Sequence, residues 1–350
     1  MPSFKYPVSS FRLVLATALG LGVLLAVAGC DNLRQTRLAG RTMGTTYHIT
    51  VAHGWLDRPQ GLEARVASRL EEINRIFSTY IADSEINRFN RWPAGGEPFR
   101  ASPEFYRVMT TAARIHRLSG GAWDGTVRPL VDLWGFGPAP ATGLVPDPGE
   151  IEALKNTVGF DRIVPGPEGT LAKTGEVTLD LASIAKGYGV DALAGLIRAE
   201  GLRDFLVEIG GEVAASGERP GGGPWKVGIN TPRAEAAATE VYRVVTLSDR
   251  AMATSGDYRN FFEVDGRRYA HIIDPRTGYP VANAVMSATV LAPDCTLADG
   301  LATALCVMGP EAGIAMIETL PGVEALILTA APWDRIQEHR SSRFDPAGSP

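Results

Sequence analysis

A carboxylate and a hydroxyl lie four residues apart in a segment with helical character. Asp299 and Thr303 belong to the stretch ADGLATAL at residues 298–305, and residues at this spacing share one face of a helix. Both offer hard oxygen ligands of the kind that hold Mg²⁺ together with backbone carbonyls and substrate phosphates. The alternative is a helix-capping or ion-paired Asp299 with a Thr303 hydroxyl bonded back to its own helix.

A second polar group spans the junction of a strand and a helix. Asp180, Ser183 and Lys186 lie in the stretch LDLASIAKGY at residues 179–188. A helix N-terminus presents unpaired N–H groups and a partial positive charge, which favours a bound phosphate. A lysine in the first turn is unfavourable for the helix dipole, and a bound anion would explain Lys186. The alternative is a capped helix whose lysine extends into water.

A histidine and an aspartate mark a third place where a strand meets a loop. His271 and Asp274 precede the turn residues Pro275 and Gly278, and site residues often lie at such positions. Either side chain could act as a general base. The alternative for His271 is a half-buried strand histidine.

Aromatic residues could line a ligand site. Ala122, Trp123 and Asp124 form a loop flanked by glycines, and Tyr80 follows a helical segment. They would contact an aromatic ligand or simply cover the core. The sequence has no Cys/His metal cluster and no G-x-S-x-G motif, which disfavours zinc enzymes and serine hydrolases.

Three predicted elements would position these residues. A short strand at 177–181 and a helix at 183–199 carry the phosphate-binding candidates, and a helix at 296–308 carries Asp299 and Thr303. The dipeptide Asp265-Gly266 predicts a hairpin between strands at 261–264 and 267–273.

The remaining pattern indicates the fold class. Residues 45–51 and 204–214 read as strands, and the apolar stripe of 62–77 predicts a helix. Helices and strands alternate without a strict βαβ rhythm, and hairpins are frequent. We therefore expect an α+β fold with a mixed, largely antiparallel sheet and packed helices.

Composition excludes several classes of protein. The 350 residues carry a formal net charge of −5 with 21% charged and 45% hydrophobic residues. A chain without a basic excess does not bind nucleic acid through its overall field. These proportions also exclude a disordered chain and a multi-span membrane protein.

The N-terminus has the order of an export signal. Lys5 and Arg12 precede an uncharged stretch at 13–29 that ends in small residues before Cys30. Residues 25–30, LAVAGC, resemble a bacterial lipobox, in which the cysteine becomes the lipidated first residue of the mature chain. Asp31 resembles the signal that keeps lipoproteins in the inner membrane. The alternative is an uncut anchor helix.

Two further cysteines remain in the mature chain. Cys295 and Cys306 flank and enter one predicted helix. A disulfide between them is possible, but we expect two buried, reduced thiols.

Six motifs occurring in order carry a resemblance to a known family. They are TMGT at 42–45, GAWD at 121–124, LDLASIAKG at 179–187, EIGG at 208–211, HIIDPRTG at 271–278 and ADGLATA at 298–304. Together they resemble the bacterial FAD:protein FMN transferase family, the ApbE-type flavin transferases, over roughly residues 40 to 330. The resemblance implies an ApbE-like fold with a single large catalytic domain.

The resemblance also implies a reaction and its residues. Such enzymes cleave FAD and transfer FMN to a Thr or Ser hydroxyl of a target protein, releasing AMP. The residues that would contact FAD are Met43, Tyr80, Ala122, Trp123, Asp124, Asp180, Lys186 and Ile273. Mg²⁺ would be bound by Asp299, Thr303 and a backbone oxygen of Ser183. His271 matches the candidate catalytic histidine of the family, and Asp274 beside it is a second candidate for the base. Trp123 and Ser183 replace residues that are often Phe and Gly.

The expected organisation follows from these assignments. Residues 1–29 would be a lipoprotein signal peptide, 30–39 a lipidated tether, 40–333 the transferase domain and 334–350 a polar, frayed tail. The protein would be anchored to the bacterial inner membrane through Cys30 and face the periplasm. Its targets would be subunits of membrane redox complexes such as the sodium-pumping NADH:quinone reductase or the Rnf type. Two alternatives stay open: an FAD pyrophosphatase that yields FMN and AMP, and a non-catalytic, lipid-anchored FAD-binding protein.

Overall fold

One large sheet and two central helices organise the chain. The computed structural model describes residues 33–55, 57–137, 143–237, 239–256 and 260–344. The predicted signal peptide and Cys30 lie outside these ranges, as do residues 345–350. Within the described ranges, none of the helices combines the length and the apolar character that a membrane span needs.

Eight α-helices are found in the described part of the chain. They are α1 (Leu62–Phe77), α2 (Glu85–Asn90), α3 (Pro103–Leu118), α4 (Arg128–Leu133), α5 (Pro148–Lys155), α6 (Ala182–Ala199), α7 (Cys295–Met308) and α8 (Pro310–Glu318). Local sequence explains several of their boundaries. Ser102 caps α3 ahead of a proline, and Asp294 caps α7 by accepting a hydrogen bond from the N–H of Leu297.

The strands form one large sheet and several two- or three-stranded ones. They are β1 (Arg34–Thr42), β2 (Thr45–His53), β3 (Phe99–Arg100), β4 (Ile163–Pro165), β5 (Thr170–Lys173), β6 (Asp204–Ile209), β7 (Glu212–Ser216), β8 (Trp225–Asn230), β9 (Val241–Leu247), β10 (Arg250–Gly256), β11 (Phe261–Val264), β12 (Arg267–Ala270), β13 (Ile273–Asp274), β14 (Tyr279–Pro280), β15 (Val285–Ala292), β16 (Glu324–Ala331) and β17 (Arg335–Arg340).

The large sheet is antiparallel throughout. Its strand order is β1-β2-β6-β7-β10-β15-β16-β17, and each neighbouring pair runs antiparallel. Helix α7 packs on β10 and β15 and against α6, and the main core cluster fills the space between these helices and α3. The expected α+β class with a largely antiparallel sheet is confirmed.

Several element predictions are also confirmed. The stripe Leu62, Val66, Leu70, Ile73 and Phe77 is the buried face of α1. The Asp265-Gly266 hairpin forms with both residues at positive φ, 50° and 74°, as the two-residue turn requires. Cys295 and Cys306 are buried, reduced thiols, as expected.

The predicted strand at 177–181 is wrong. Residues 176–181 belong to no strand, because their backbone groups bond elsewhere. The Asn90 side chain accepts from the N–H of Leu179 at 2.7 Å and donates to its carbonyl at 3.0 Å. The N–H of Asp180 donates to the carbonyl of Gly125 at 2.8 Å. The segment is therefore anchored to a side chain and a loop.

Other boundaries also differ from the sequence prediction. The expected strand at 204–214 is a hairpin of β6 and β7, broken by Gly210 and Gly211 at φ 61° and 105°. The second hairpin strand ends at Ala270, so His271 follows it. The expected tether at 34–39 belongs to β1, and the expected frayed tail at 335–340 is β17. Both segments are edge strands of the large sheet, and each pairs with a single neighbouring strand. Their polar sequences resemble those of loops, because an edge strand buries less of its surface than a central one.

Candidate functional site

A cavity of about 430 Å³ opens where α6, α7, β7 and β10 meet the loops before α4 and after β12. Its volume is in the range of small-molecule sites. Ten of the residues predicted from the sequence line it: Ala122, Trp123, Asp124, Asp180, Ser183, Lys186, His271, Ile273, Asp299 and Thr303. Segments far apart in the chain are therefore brought to one place.

The cavity floor depends on a close approach of α6 and α7 at Gly187. A Cβ on this residue would lie 2.3 Å from the carbonyl oxygen of Cys295 and 2.8 Å from Cβ of Asp299. The N–H of Gly187 donates to Oδ2 of Asp299 at 2.9 Å. In a regular helix this N–H would donate to the carbonyl of Ser183. Here it donates to a side chain of α7, and the two helices are therefore joined through Asp299, one of the residues predicted to bind the metal.

Lys186 lies between two buried carboxylates. Its Nζ is 3.4 Å from Oε1 of Glu212 and 3.7 Å from Oδ1 of Asp299. Burial alone would lower the pKa of Lys186, but Asp299 and Glu212 outweigh it and hold the pKa above its usual value. Burial, followed by the charge of Asp299, raises the pKa of Glu212, while Lys186 opposes the rise. The cluster is one cation facing two acids.

The residues expected to bind Mg²⁺ offer a suitable set of donors. Asp299 is 1% exposed, and the hydroxyl of Thr303 lies 3.1 Å from that of Ser255. Oε2 of Glu212 is buried without a hydrogen-bond partner among the described residues. Buried oxygens with an excess of negative charge suit a hard divalent cation. No cluster of three or more His, Cys, Asp or Glu side chains able to hold a metal occurs in the described ranges, but the expected set contains only one such side chain.

Asp180 is tied to an arginine at the cavity wall. Arg128 donates from Nη1 to Oδ2 of Asp180 at 2.6 Å and from Nε to Oδ1 of Asp132 at 2.6 Å. The other oxygen of Asp180 accepts from the N–H of Ala182 at 2.9 Å, at the start of α6. Asp180 therefore contacts both the N-terminus of α6 and the guanidinium of Arg128, which is a second cation at the cavity besides Lys186.

The loop Ala122-Trp123-Asp124 is fixed by internal hydrogen bonds. Nε1 of Trp123 donates to Oγ of Ser183 at 3.0 Å. Asp124 accepts from the N–H and the hydroxyl of Thr126, at 2.7 and 2.6 Å, and from the N–H of Phe160 at 2.9 Å. The carboxylate thus organises the loop, while the indole of Trp123 lines the cavity.

His271 has the tautomer that a general base requires. Its Nδ1 lies 3.3 Å from the carbonyl of Asn260, and a carbonyl only accepts, so Nδ1 carries the proton. The lone pair of the neutral ring is therefore on Nε2. Burial lowers the pKa of His271, against a smaller opposing effect of the bond to Asn260. The neutral, basic form is favoured.

Three predicted site residues do not line the cavity. Both oxygens of Asp274 are engaged by Arg276, at 2.8 Å each, which leaves His271 as the better placed base. Met43 occupies a two-residue turn at φ 48° between β1 and β2, with its methyl against Gly189 of α6. Tyr80 is 82% exposed.

Among the lining residues with polar side chains, four were not predicted from the sequence: Arg128, Glu212, Thr254 and Ser255. A signal for Glu212 existed, since it follows the Gly210-Gly211 break and begins a buried strand. Thr254 and Ser255 are polar residues at the end of β10. Nothing local marks Arg128, whose partner Asp180 is remote in sequence.

The chain is similar to known proteins over most of its length. The profile of the ApbE family matches residues 43–327. An FAD:protein FMN transferase of Vibrio cholerae is 42% identical over 330 residues, covering 93% of this chain and 97% of its own. One of Haemophilus influenzae is 37% identical over 316 residues, covering 87% of this chain and 90% of its own.

Solved structures agree with these sequence matches. The flavin transferase ApbE from Vibrio cholerae has a TM-score of 0.81 at 40% identity and covers 90% of this chain and 99% of its own. The apo form of a Pseudomonas stutzeri flavinyl transferase ApbE has a TM-score of 0.80 at 34% identity, with coverage of 91% and 98%.

Proposed function

The chain belongs to the ApbE family and is an FAD:protein FMN transferase, and on this basis we propose its reaction in detail. It cleaves FAD in a Mg²⁺-dependent step, attaches FMN through a phosphoester bond to a Thr or Ser hydroxyl of a target protein and releases AMP. The observation that carries this proposal is that His271, with its lone pair on Nε2, lines the same cavity as Lys186, Asp299 and Thr303.

The bond changes follow from the acceptor hydroxyl. Its oxygen forms a bond to the phosphorus on the FMN side, and the bond from that phosphorus to the bridging oxygen breaks. AMP leaves with the bridging oxygen. Nε2 of His271 takes the hydroxyl proton as general base, a role that typically contributes about 10²–10⁴-fold to a rate.

The remaining residues bind and orient FAD. Lys186 and the N-terminus of α6 hold the pyrophosphate, with Asp180 and Arg128 orienting that end of the helix. Trp123, Ile273 and Ala122 supply the apolar wall for a ring system, and Asp124 fixes their loop. Met43 and Tyr80 lie outside the cavity, and we propose, from the family resemblance, that they contact parts of FAD that extend beyond it.

Asp299, Thr303 and the carbonyl of Ser183 would hold Mg²⁺. In a regular helix the carbonyl of Ser183 would accept from the N–H of Gly187, but that N–H donates to Asp299, so the carbonyl of Ser183 has a lone pair to offer a cation. The bound ion would neutralise the negative charge of the pyrophosphate and of the departing AMP. The acidic excess of the Lys186 cluster supports the presence of such a cation.

The test is mass spectrometry of an acceptor protein after incubation with the enzyme, FAD and Mg²⁺. We expect a covalent FMN adduct on a Thr or Ser and an equal amount of AMP. Adding EDTA or introducing Asp299→Asn should abolish both. Asp294→Asn is the matched control, because Asp294 caps the same helix and does not line the cavity; it should retain activity.

Two other outcomes would identify the rival functions. Free FMN and AMP without a labelled protein would mean that water replaces the hydroxyl, as in an FAD pyrophosphatase. Tight binding of FAD without AMP release would mean a non-catalytic flavin-binding protein. The Asp299 and Thr303 pair favours catalysis, because simple binding of FAD does not need a metal at the pyrophosphate.

Location and targets complete the proposal. The lipobox-like residues 25–30 and Asp31 support a protein anchored through a lipidated Cys30 to the inner membrane, facing the periplasm. Several acyl chains give a stable tether where one is marginal. Subunits of membrane redox complexes, such as the sodium-pumping NADH:quinone reductase or the Rnf type, are the proposed acceptors. Cys30→Ser should move the protein from the membrane to the soluble fraction.

A further inference from the structure

Helices α6 and α7 exchange hydrogen bonds through two aspartates, one on each helix. Asp299 of α7 accepts from the N–H of Gly187 on α6 at 2.9 Å. One turn further along α6, Asp191 accepts from the N–H of Cys295 at 2.8 Å with Oδ1. Its Oδ2 accepts from the N–H and the hydroxyl of Thr296, at 2.8 and 2.5 Å.

The two contacts are arranged reciprocally. Gly187 and Asp191 are four residues apart on α6, and Cys295 and Asp299 are four residues apart on α7. On each helix, the aspartate that accepts hydrogen bonds from the other helix therefore lies one turn away from a residue whose N–H donates to the other helix. The absence of a side chain at Gly187 permits this distance, since a Cβ would lie 2.3 Å from the carbonyl oxygen of Cys295.

We infer that Asp191 is a positioning residue for the flavin-transfer site. By holding the first turn of α7 on α6, it fixes the carboxylate of Asp299 and, one turn later, the hydroxyl of Thr303 at the cavity. The cavity lining does not include Asp191, so it acts through α7 and not on the substrate. The metal-related consequence rests on the proposed function, in which Asp299 and Thr303 are ligands of Mg²⁺.

Asp294 provides a matched comparison on the same helix. It caps α7 locally, by accepting from the N–H of Leu297 at 2.8 Å. Removing it weakens the start of α7 but leaves the bonds between Asp191 and α7 in place. A purely structural role of Asp191 would make the two alanine variants behave alike.

The first measurement is amide hydrogen exchange at residue 187 in the metal-free, full-length protein. We expect Asp191→Ala to speed exchange at this amide by about tenfold or more, because its acceptor Asp299 is no longer held. Asp294→Ala should leave this amide unchanged. Asp191→Asn keeps an oxygen for the N–H of Cys295 and should restore most of the protection.

The second measurement is Mg²⁺ binding by calorimetry in the presence of FAD. Residues that orient metal ligands typically change affinity by about 10–100-fold when removed, and we expect a shift of this size in Asp191→Ala. FAD affinity without metal should stay unchanged. Thr296→Val, which removes only the hydroxyl bond, is the milder variant should Asp191→Ala fail to fold, with a smaller shift in the same direction.

The outcomes separate this inference from the proposed function. The role of Asp191 would be overturned if exchange at residue 187 rose no more in Asp191→Ala than in Asp294→Ala. Should Asp191→Ala fail to fold, the same comparison is made between Thr296→Val and Asp294→Ala. A wild-type protein that binds no Mg²⁺ would overturn the proposed function instead, while the exchange measurement would still decide whether Asp191 holds Asp299.

Discussion

The ammonium of Lys186 lies 3.4 Å from Oε1 of Glu212, whose other oxygen is buried without a partner among the described residues. The side chain of Glu212 is 4% exposed and that of Asp299 is 2% exposed, whereas Lys186 keeps 27%. One cation thus faces two desolvated carboxylates. Such an arrangement depends on its cation, because an unpaired buried charge is expensive.

Replacing the cation should therefore destabilise the fold. We expect Lys186→Met to lower the free energy of unfolding by about 2–3 kcal/mol. This loss is smaller than that expected for breaking a fully buried ion pair, because Lys186 is partly exposed. The measurement is urea unfolding of the metal-free protein. Lys226→Met, at an exposed position of β8, is the control and should change stability by less than about 0.5 kcal/mol. Equal effects of the two substitutions would show that the ammonium does not balance the carboxylates.

Gly187 and Gly195 allow a matched pair of substitutions on one helix. Gly187→Ala would place a Cβ 2.3 Å from a backbone oxygen of α7, and we expect a loss of about 3 kcal/mol or more in stability because backbone has to move. Gly195 has nothing within 4 Å of such a Cβ. Gly195→Ala should stabilise the protein by about 0.5–1 kcal/mol through helix propensity.

Thermal and urea unfolding of both variants would check this prediction. Gly187→Ala should also lose flavin transfer, since it separates Asp299 from α6. A Gly187→Ala protein with wild-type stability would mean that α6 and α7 are not in this close contact.

The sequence predicted the parts of the site that local spacing determines. Asp299 and Thr303 share a face through helix geometry alone, and His271 follows a hairpin specified by Asp265-Gly266. Glu212 was not predicted because its role in the site depends on its ion pair with Lys186, which belongs to another element. Pairing across elements leaves no local pattern.

The wrong element predictions have the same cause. Residues 177–181 have strand-like composition, but the side chain of Asn90 takes the hydrogen bonds of Leu179. Conversely, the polar segments Arg34–Thr42 and Arg335–Arg340 look like loops and become the two edge strands of the large sheet. In each case a tertiary partner, remote in sequence, decides where the backbone bonds go.

The pH dependence of transfer tests His271 as the base. Burial lowers the pKa of His271 below its usual 6.5. The ring therefore stays neutral as the pH falls to 6.5, and the transfer rate should decline only at lower pH. We expect His271→Ala to lower the transfer rate by about 10²–10⁴-fold and to remove this acid limb. FAD binding should be retained. His339→Gln, on the edge strand β17, should leave both rate and profile unchanged; an unaltered profile in His271→Ala would exclude it as the base.

Asp124 should act mainly through stability. Asp124→Ala leaves the N–H groups of Thr126 and Phe160 without their acceptor, and we expect a loss of about 3–5 kcal/mol because each buried donor costs about 1–3 kcal/mol. Asp124→Asn keeps one oxygen and should lose less. Urea unfolding measures both, with the exposed Asp161→Ala as control. A stable Asp124→Ala protein that no longer binds FAD would show that this carboxylate contacts the flavin nucleotide directly.

The last prediction concerns Asp191, where burial and hydrogen bonding oppose each other. Burial raises the pKa of Asp191 to about 6, although the bonds from Thr296 and Cys295 act in the other direction. A raised folded-state pKa means that the folded protein holds the proton more tightly than the unfolded chain. Asp191 then contributes stability below the unfolded pKa of 3.8, and this contribution is lost as pH rises through about 6.

Comparing wild type with Asp191→Asn isolates this contribution, because the amide does not titrate. The difference in unfolding free energy, wild type minus variant, should fall by on the order of 2 kcal/mol between pH 4 and pH 7 in urea titrations. A difference that instead rises with pH would mean that the hydrogen bonds from α7 outweigh burial and keep the carboxylate ionised. Asp191 would then hold α7 as a charged cap, and acid would loosen the contact between the two helices. A falling difference means that the contact tolerates the proton, so that the position of Asp299 is maintained across the acidic range.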